Sequence, residues 1–368
     1  MTSTPLPPSA PPGGGLPFPV VSAPRRSTPA RTFHSAVHRA SSFSIPGERS
    51  HLEGKLAFLT QRARTTNLAV LLLAAVTAIS LIANLRFSIG HEVFPHRLPS
   101  SPSVPLSIRA TLPTPHSNLK HLVMVPGHAI WEGCDASHAT TDQDWLLEPF
   151  QRGRGMVKTY LKHITKGAEI AVQDPEALLI YSGGQTKPDA SLTEAQSYAR
   201  LAKAGNIYAQ FMTDQERTKG GGTGEFDRVT TEDFAMDSME NVLFSIARFK
   251  EFTGHYPTFI TAVGYGMKRR RYEDVHRLAI KWPAGAFKYI GIDNEGDVSA
   301  DYEGENANGL TPFLSDLYGC KGGLVAKRRG RNPFRRFHSY FSSAPELEQL
   351  FEYCPADNKV FPGRLPWD

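Results

Sequence analysis

The sequence predicts a three-layer α/β domain, a parallel sheet with helices on both faces, preceded by a disordered tail and one transmembrane helix. Two observations lead to this prediction. Short apolar segments of strand length alternate with longer segments whose apolar residues recur at helical spacing, which is typical of parallel sheets. Upstream of them, a Pro- and Ser-rich stretch is followed by an uncharged apolar run unlike any other part of the chain.

The N-terminal segment, residues 1–66, is rich in Pro, Ser, Gly and Arg and poor in large apolar side chains. Such a segment buries too little apolar surface to offset its ordering entropy, so we expect it to be disordered. It has eight Arg and Lys against two Asp and Glu, a balance of +6, whereas the whole chain carries +5. The rest sums to about −1, so the folded part gives no reason to expect a nucleic-acid partner.

The uncharged run extends from Leu68 to Leu85, and with Asn67 and Phe87–Ile89 it reaches the ~20 residues that a membrane-spanning helix needs. We therefore predict a transmembrane helix over residues 67–89. The alternative interpretation is a buried core helix. A cleaved signal peptide is not expected, because the run starts too far from the first residue.

Basic residues are concentrated before this run, so the positive-inside rule predicts a cytoplasmic N-terminus and a lumenal main domain. The prediction is a single-pass protein of the secretory pathway, in the endoplasmic reticulum or Golgi membrane. An Arg- and Ser-rich, acid-poor N-terminus also suits a mitochondrial presequence, and this is the alternative location. The prolines before residue 30 disfavour the amphipathic helix that a presequence forms.

The chain has three cysteines, Cys134, Cys320 and Cys354, which allow at most one intramolecular disulfide. In a lumenal domain Cys320 and Cys354 are the expected pair, because they share the C-terminal segment. No cysteine has zinc-ligand spacing, and we expect no metal site.

After a Pro-rich stalk over residues 90–118, we predict an α/β domain over residues 119–295 and a C-terminal extension packed on it over residues 296–368. The predicted strands are Leu122–Val125, Ala177–Tyr181, Thr258–Val263 and Phe287–Ile292. Two sets of apolar residues recur at helical spacing and predict helices. They are Trp145, Leu146, Phe150, Val157, Leu161 and Ile164, and later Met236, Met239, Leu243, Ile246 and Phe249. Residues Ser191–Glu194 resemble a capping box that opens another helix.

Ligands of parallel sheets bind beyond the carboxyl ends of the strands. Three predicted loops follow strands, at Gly127-His128, Ser182–Thr186 and Gly264–Arg270, and we expect them to converge on one pocket. Glycine permits close approach of backbone N–H groups to an anion. The candidate ligand-binding residues in the first two loops are Gly127, Ser182, Gly183 and Gly184.

The third loop contains the basic run Lys268-Arg269-Arg270-Arg271 at the start of a predicted helix. Cations in a first turn oppose the helix macrodipole, so an anion opposite them would relieve the conflict. We therefore predict that Lys268, Arg269 and Arg270 hold phosphate, with Tyr265 and Asn241 as further ligand contacts. The alternative is a solvated basic face with helix-internal ion pairs.

The candidate acid/base residues are His128, Glu194 and Glu240. Histidine titrates near neutral pH, although a single histidine beside a turn is often a structural hydrogen-bonding group. The alternative role of Glu194 is the capping box. Glu240 lies early in the helix that follows a Gly-rich loop.

In their order and spacing these motifs resemble the YdcF/SanA-like domain-of-unknown-function family (DUF 218), and most closely its fungal membrane-anchored branch. The resemblance covers about residues 119–290, and for the branch it runs to the C-terminus. It rests on Val-Pro-Gly-His128, Tyr-Ser-Gly-Gly184, Glu194, Asp237-Ser-Met-Glu-Asn241, Tyr265 to Arg270, Tyr-Gly-Cys320 and Arg-Asn-Pro-Phe-Arg-Arg336.

The resemblance implies a Rossmann-like fold, a link to envelope biogenesis in bacteria, and S-adenosylmethionine or another nucleotide as a candidate cofactor. It implies no settled reaction. The chain departs from the bacterial pattern at Gly266, where that pattern usually has His, and at Asp237-Ser238, where it has Asn-Thr. Any chemistry that depends on that His is absent here.

Three functions follow from these features. The first is a membrane enzyme that acts on a phosphate-bearing small molecule or a lipid-linked sugar. The second is a non-catalytic module that binds a nucleotide or S-adenosylmethionine. The third is a structural membrane protein with a vestigial pocket. The geometry of the predicted pocket distinguishes them.

Overall fold

The computed structural model describes residues 68–85, 107, 110–112, 116–218 and 225–368. The predicted tail over residues 1–66 and most of the predicted stalk over residues 90–118 lie outside these ranges. The chain divides into two units, Met1–Ser88 and Ile89–Asp368.

In the first unit the described residues form one helix, α1 (Leu68–Leu85). Its mean hydropathy is 2.5 and none of it is buried. Eighteen residues rise about 27 Å, close to the thickness of a bilayer's hydrocarbon core. A helix that is apolar and exposed on every side does not fit the alternative of a buried core helix, and it is a candidate membrane span.

The second unit is built on five strands, and the fold-class prediction is confirmed. These are β1 (His121–Pro126), β4 (Ala177–Ser182), β5 (Val229–Glu232), β6 (Phe259–Gly264) and β7 (Phe287–Gly291). They form a parallel sheet in the order β5-β4-β1-β6-β7. Two further strands, β2 (Ile130–Trp131) and β3 (Trp145–Leu146), pair antiparallel in a separate ribbon.

Helices account for most of the remainder. They are α2 (Met156–Gln173), α3 (Glu194–Ala204), α4 (Asp214–Thr218), α5 (Ser238–Thr253), α6 (Arg277–Ala279), α7 (Ser299–Glu305), α8 (Thr311–Ser315), α9 (Gly322–Gly330), α10 (Tyr340–Ser343) and α11 (Glu348–Phe351). Two π-helical turns, Arg271–His276 and Asn306–Leu310, lead into α6 and α8.

The central strand β1 supplies side chains to two separate hydrophobic cores. Leu122 and Met124 point into one core, and Val123 and Val125 point into the other, as the two-residue period of a strand requires. All four are fully buried. Helices α2 and α3 cover the second core, whereas α5 covers the first. Both faces of the sheet are therefore covered, which makes three layers.

The C-terminal residues pack into the first core together with the strands. Leu310, Phe313, Tyr318 and Tyr340 are all buried there. A disulfide joins Cys320 to Cys354, so the predicted cysteine pairing is confirmed.

Two local predictions were wrong, and one strand was missed. The helix expected from Trp145 begins only at Met156, because Gly153 and Gly155 have φ of +70° and +66° and interrupt it. Trp145 lies in β3 instead. The short edge strand β5 was not predicted, since its four residues lack a buried apolar run.

The prediction of a capping box at Ser191–Glu194 is also wrong. The N-cap of α3 is Thr193, whose side chain accepts a hydrogen bond from the Gln196 backbone N–H. Glu194 is the first helical residue, and its carboxylate is not used for capping.

The strand order creates a crevice. The chain passes from β1 to β4 and β5 on one side, then returns to β6 beside β1 and continues to β7 on the other side. Connections therefore leave the neighbouring strands β1 and β6 in opposite directions. Ligands of open α/β sheets bind at such a switch point, beyond the carboxyl ends of the strands.

Close packing of α2 on the sheet gives a test of this core. Changing Gly167 to Ala should lower the free energy of unfolding by about 1–3 kcal/mol, the usual cost of overpacking. A Cβ there would overlap Val125 Cγ2 and lie 3.2 Å from Leu179 Cδ1. Denaturant unfolding of the full chain in detergent measures the change.

The matched control is Gly323→Ala in α9, where no described atom outside the adjacent residues and the helix's own backbone lies within 4 Å of the Cβ position. It should leave stability unchanged or raise it by about 0.5–1 kcal/mol, because alanine loses less entropy in a helix. Equal losses in the two variants would contradict the packing of α2 on the sheet.

Candidate functional site

A cavity of about 630 Å³ lies in the crevice beyond β1 and β6. As predicted, the three loops converge there, since Gly127, Thr186 and Lys268 all line it. The long segment between β1 and α2 and the C-terminal residues complete its walls, and the sequence did not indicate their contribution. Among the described residues, no group of three His, Cys, Asp or Glu side chains could hold a metal ion.

Lys268 and His128 meet in this cavity. Lys268 Nζ lies 3.3 Å from His128 Nδ1 and 5.6 Å from the centre of the Tyr265 ring. Burial, helped by the charge of Arg271, lowers the pKa of Lys268 to about 7. Burial and the Lys268 charge hold the pKa of His128 well below its usual value. Near neutral pH the lysine is partly protonated and the imidazole is neutral.

The protonation state of Lys268 determines which nitrogen of His128 carries the proton. If Lys268 donates to Nδ1, the imidazole proton is on Nε2. That nitrogen is buried and has no hydrogen-bond partner in the described part of the chain. Gln151 holds the residue in place by donating to the His128 carbonyl over 2.9 Å. An acceptor atom of a ligand would satisfy the unpaired Nε2–H.

Glu194 enters the same wall from the start of α3. Its carboxylate accepts a hydrogen bond from Thr186 Oγ1 over 2.7 Å, and burial raises its pKa. A Cβ on Gly127 or Gly183 would lie 2.8 or 2.9 Å from Glu194 Oε2. The two glycines therefore make room for this carboxylate.

The predicted anion-binding role of the glycine N–H groups is wrong, because all three already have partners. Gly127 donates to the Ser182 carbonyl over 2.7 Å, and Gly183 donates to the Glu232 carbonyl over 2.9 Å. Gly184 donates to the Ala235 carbonyl over 2.7 Å. The first two bonds connect neighbouring strand ends and the third reaches the segment after β5, so none of these three N–H groups is free for a ligand.

Ser182 lies in a buried polar cluster beneath the cavity. Its Oγ is 2.8 Å from Glu232 Oε2 and 2.9 Å from Asn241 Oδ1. Asn241 lines the cavity, whereas Ser182 does not. Burial raises the pKa of Glu232 to about 7, and this carboxyl was not found from the sequence, since it is the last residue of the unpredicted strand β5.

The basic run divides between the cavity and the surface. Lys268 and Arg271 line the cavity, but Arg269 donates to the Tyr289 carbonyl over 2.7 Å and Arg270 is an exposed residue 3.8 Å from Asp274. Three residues make about one turn, so Lys268 and Arg271 share a face. The prediction placed Arg269 and Arg270 at the ligand, but neither lines this cavity, whereas Arg271, which was not among the predicted residues, does.

Arg271 is held by a buried ion pair with Glu305, at 3.0 Å, in which about nine-tenths of each side chain is buried. Glu240 is directed away from the cavity. It accepts from the Met236 N–H over 2.7 Å and lies 3.2 Å from Arg328 Nε. A catalytic role for Glu240 in this cavity does not fit these contacts.

Two cations at the edge of the cavity come from the C-terminal residues. Lys327 Nζ donates to the Asn308 carbonyl over 2.9 Å, and Arg331 Nη1 donates to the Met236 carbonyl over 3.0 Å. Like Lys268, neither has a carboxylate within 4 Å in the described chain. The other cations on the wall are paired, as in the contact of Arg154 with Asp301.

The departures from the bacterial pattern also have structural consequences. A side chain at Gly266 would collide with Asp293 Oδ2, so the position cannot hold His without a shift of that carboxylate. Ser238 lines the cavity at the start of α5, with its Oγ 2.7 Å from His276 Nε2. His276 is fully buried, and burial and Arg271 hold its pKa well below the usual value.

The chain is similar to "Uncharacterized protein YOR238W" of Saccharomyces cerevisiae, with 29% identity over 289 residues, which are 66% of this chain and 90% of the yeast protein. Because that protein is itself uncharacterized, the similarity assigns no activity. No family model matches the chain, and no solved structure matches it.

The different roles within the basic run give a second test. Arg271→Gln should lower the free energy of unfolding by about 3–5 kcal/mol, because Glu305 would be left buried without a partner. The double change of Arg269 and Arg270 to Gln is the control. It should stay within about 1 kcal/mol, since Arg269 pairs with Glu273 and Arg270 with Asp274 at largely solvent-exposed positions.

Thermal or denaturant unfolding of the full chain in detergent compares these variants. A loss from the Arg269 and Arg270 change as large as that from Arg271→Gln would contradict the assignment of the buried pair.

Proposed function

We propose that the α/β domain is an enzyme that binds a phosphate-bearing small molecule or a lipid-linked sugar in the crevice cavity. The observation that supports this most directly is Lys268. Its amine is in a cavity, contacts a neutral His128, has no carboxylate within 4 Å in the described chain, and has a pKa of about 7. Strongly shifted groups of this kind cluster at functional sites.

Binding is explained by the charge on the cavity wall. Lys268, Lys327 and Arg331 are not neutralised by close carboxylates among the described residues, whereas Arg271 is neutralised by Glu305. A phosphate monoester carries about −1.5 to −2 charges at neutral pH and would compensate the first three. A volume of about 630 Å³ also suits a small-molecule ligand.

In this enzyme three residues would transfer protons. Lys268 is near its pKa at neutral pH, so it can donate or accept a proton. The raised pKa of Glu194 makes it a candidate general acid. His128 holds a neutral imidazole against Lys268, with which it can exchange a proton. Two of these three, His128 and Glu194, were predicted from the sequence as acid/base residues.

A second candidate function is a module that binds a nucleotide or S-adenosylmethionine. The strand order favours it. The five strands match the first half of a dinucleotide-binding sheet and part of its second half. However, the turn after β1 reads Pro126-Gly-His-Ala-Ile130 and lacks the three-glycine fingerprint of such sites. We therefore rank it second.

We also propose that the chain is a member of the YdcF/SanA-like family. The motifs that carry the resemblance meet at one place, since Gly127, Glu194, Asn241, Tyr265 and Lys268 all line the cavity. Convergence of sequence motifs on one pocket is what a shared binding site would produce.

The proposed function predicts pH-dependent ligand binding. Sugar phosphates at about 100 times Kd should stabilise the full chain in detergent by about 2.7 kcal/mol. Affinity should fall between pH 7 and 8.5 as Lys268 loses its proton, approaching tenfold per pH unit, because the ligand phosphate stays dianionic. Calorimetric titration measures the affinity.

Lys268→Arg is the matched control, since arginine keeps its charge and should make the affinity independent of pH. Lys268→Met should abolish binding. Stabilisation by S-adenosylmethionine or nucleotides alone would favour the second candidate. The absence of stabilisation by any of these compounds would reject both.

For location, we propose a secretory-pathway membrane with residues 119–368 in the lumen and the N-terminus in the cytoplasm. The disulfide between Cys320 and Cys354 supports an oxidising compartment, and the basic residues before α1 support the orientation. A mitochondrial location, the alternative, gives no reason to expect this disulfide.

Protease added to sealed microsomes should leave residues 119–368 intact and cleave the segment before α1. Detergent should then expose the domain to digestion. Cleavage of the domain without detergent would reverse the proposed orientation, and recovery of the protein with mitochondria would support the alternative location.

A further inference from the structure

One residue of the cavity wall is a large aromatic side chain that remains exposed. Phe150 lines the cavity, and 63% of its surface is accessible to solvent. Single exposed apolar residues are ordinary on protein surfaces, but this one belongs to the wall of a candidate ligand site. The proton transfer proposed for Lys268, His128 and Glu194 does not use this ring.

The backbone that carries Phe150 is fixed to the interior of the site. Phe150 is the middle residue of the 3-10 turn Pro149–Gln151. The Gln151 side chain is buried, and its Nε2 donates to the His128 carbonyl and to the Tyr160 hydroxyl, each over 2.9 Å. The position of Phe150 is therefore set by the same hydrogen bonds that hold His128.

A second contact holds the other end of this turn. Glu148, the residue before the turn, is paired with Lys187 in the loop after β4, and both of these residues line the cavity. The turn thus keeps a phenyl group in water, although covering its apolar area would be favourable. A ligand that lies against the ring would provide that cover.

We propose that Phe150 forms a second subsite of the cavity, on which a ring of the ligand stacks while the unpaired cations bind the phosphate of the same ligand. The ligand is then a phosphate monoester whose organic group has a ring with a flat or apolar face, either a sugar or a nucleobase. This inference rests on the proposed function, because it assumes that the cavity binds a phosphate ester.

The chemistry and size of the cavity support this ligand class. Aromatic side chains stack on ring faces with little dependence on the identity of the ring. Small-molecule sites commonly combine such apolar surfaces with a few charged groups. The volume of about 630 Å³ leaves room for a ring beside the phosphate.

The test compares three phosphate monoesters by calorimetric titration of the full chain in detergent at pH 7. Glycerol 3-phosphate has no ring, glucose 1-phosphate has a sugar ring, and adenosine monophosphate has a nucleobase. The variants are Phe150→Ala and the conservative Phe150→Tyr. The matched control is Phe337→Ala, since Phe337 is 84% exposed and does not line this cavity.

The unchanged chain should bind at least one ring-bearing ester about tenfold more tightly than glycerol 3-phosphate, as one stacking contact provides. Phe150→Ala should remove this preference and leave the affinity for glycerol 3-phosphate within about twofold. Phe150→Tyr and Phe337→Ala should keep the preference. Loss of preference for glucose 1-phosphate would identify a sugar, whereas loss for adenosine monophosphate alone would identify a nucleobase.

Two results would overturn the subsite while leaving the proposed function in place. A preference that Phe150→Ala does not change would show that no ring stacks there. Equal weakening of all three esters by Phe150→Ala would show that the residue only maintains the shape of the site. If no ester binds the unchanged chain, the proposed function itself fails, and the subsite is rejected with it.

Discussion

The burial of β1 on both faces is the constraint on which the rest of the structure depends. Four consecutive apolar residues, Leu122–Val125, point alternately into two cores, so the sheet needs a cover on each side. Parallel strands with crossover connections provide those covers, and they bring all the strand ends to one edge. The crevice beyond β1 and β6 is a geometric consequence of this arrangement, and the site follows from it.

At that edge the protein neutralises some charges and leaves others unpaired. Arg271 is paired with Glu305 on the cavity wall, and Arg328, which does not line the cavity, is paired with Asp237 and Glu240. Lys268 contacts a neutral imidazole, has no carboxylate within 4 Å among the described residues, and loses part of its charge to burial. An unpaired buried cation is costly to folding, and such costs are usually retained where function uses them.

The sequence predicted those features that depend on periodicity and chain order. The alternation of strands and helices gave the parallel sheet, and the position of each loop after a strand gave the convergence of Gly127, Thr186 and Lys268. It could not show which residues of the basic run share a face, because that depends on the 3-10 and π-helical turns at Gly266–Lys268 and Arg271–His276. For this reason Arg269 and Arg270 were predicted to face the ligand, whereas it is Arg271 that lines the cavity.

Other failures have a different cause, namely contacts between residues far apart in the chain. Free glycine N–H groups were expected from the local sequence, but the neighbouring strand ends accept all three of them. Likewise, Lys327 and Arg331 reach the cavity only because the C-terminal residues fold back on the sheet. No local pattern encodes such a return, although the density of basic residues after Gly322 was a visible signal.

Helix α9 and the loop after it distribute their cations in three directions. Arg328 is turned inward to Asp237, Lys327 and Arg331 are at the cavity edge, and Arg329 is exposed. Adjacent helical residues differ by about 100° in direction, so one short basic segment can serve both a ligand site and a separate surface.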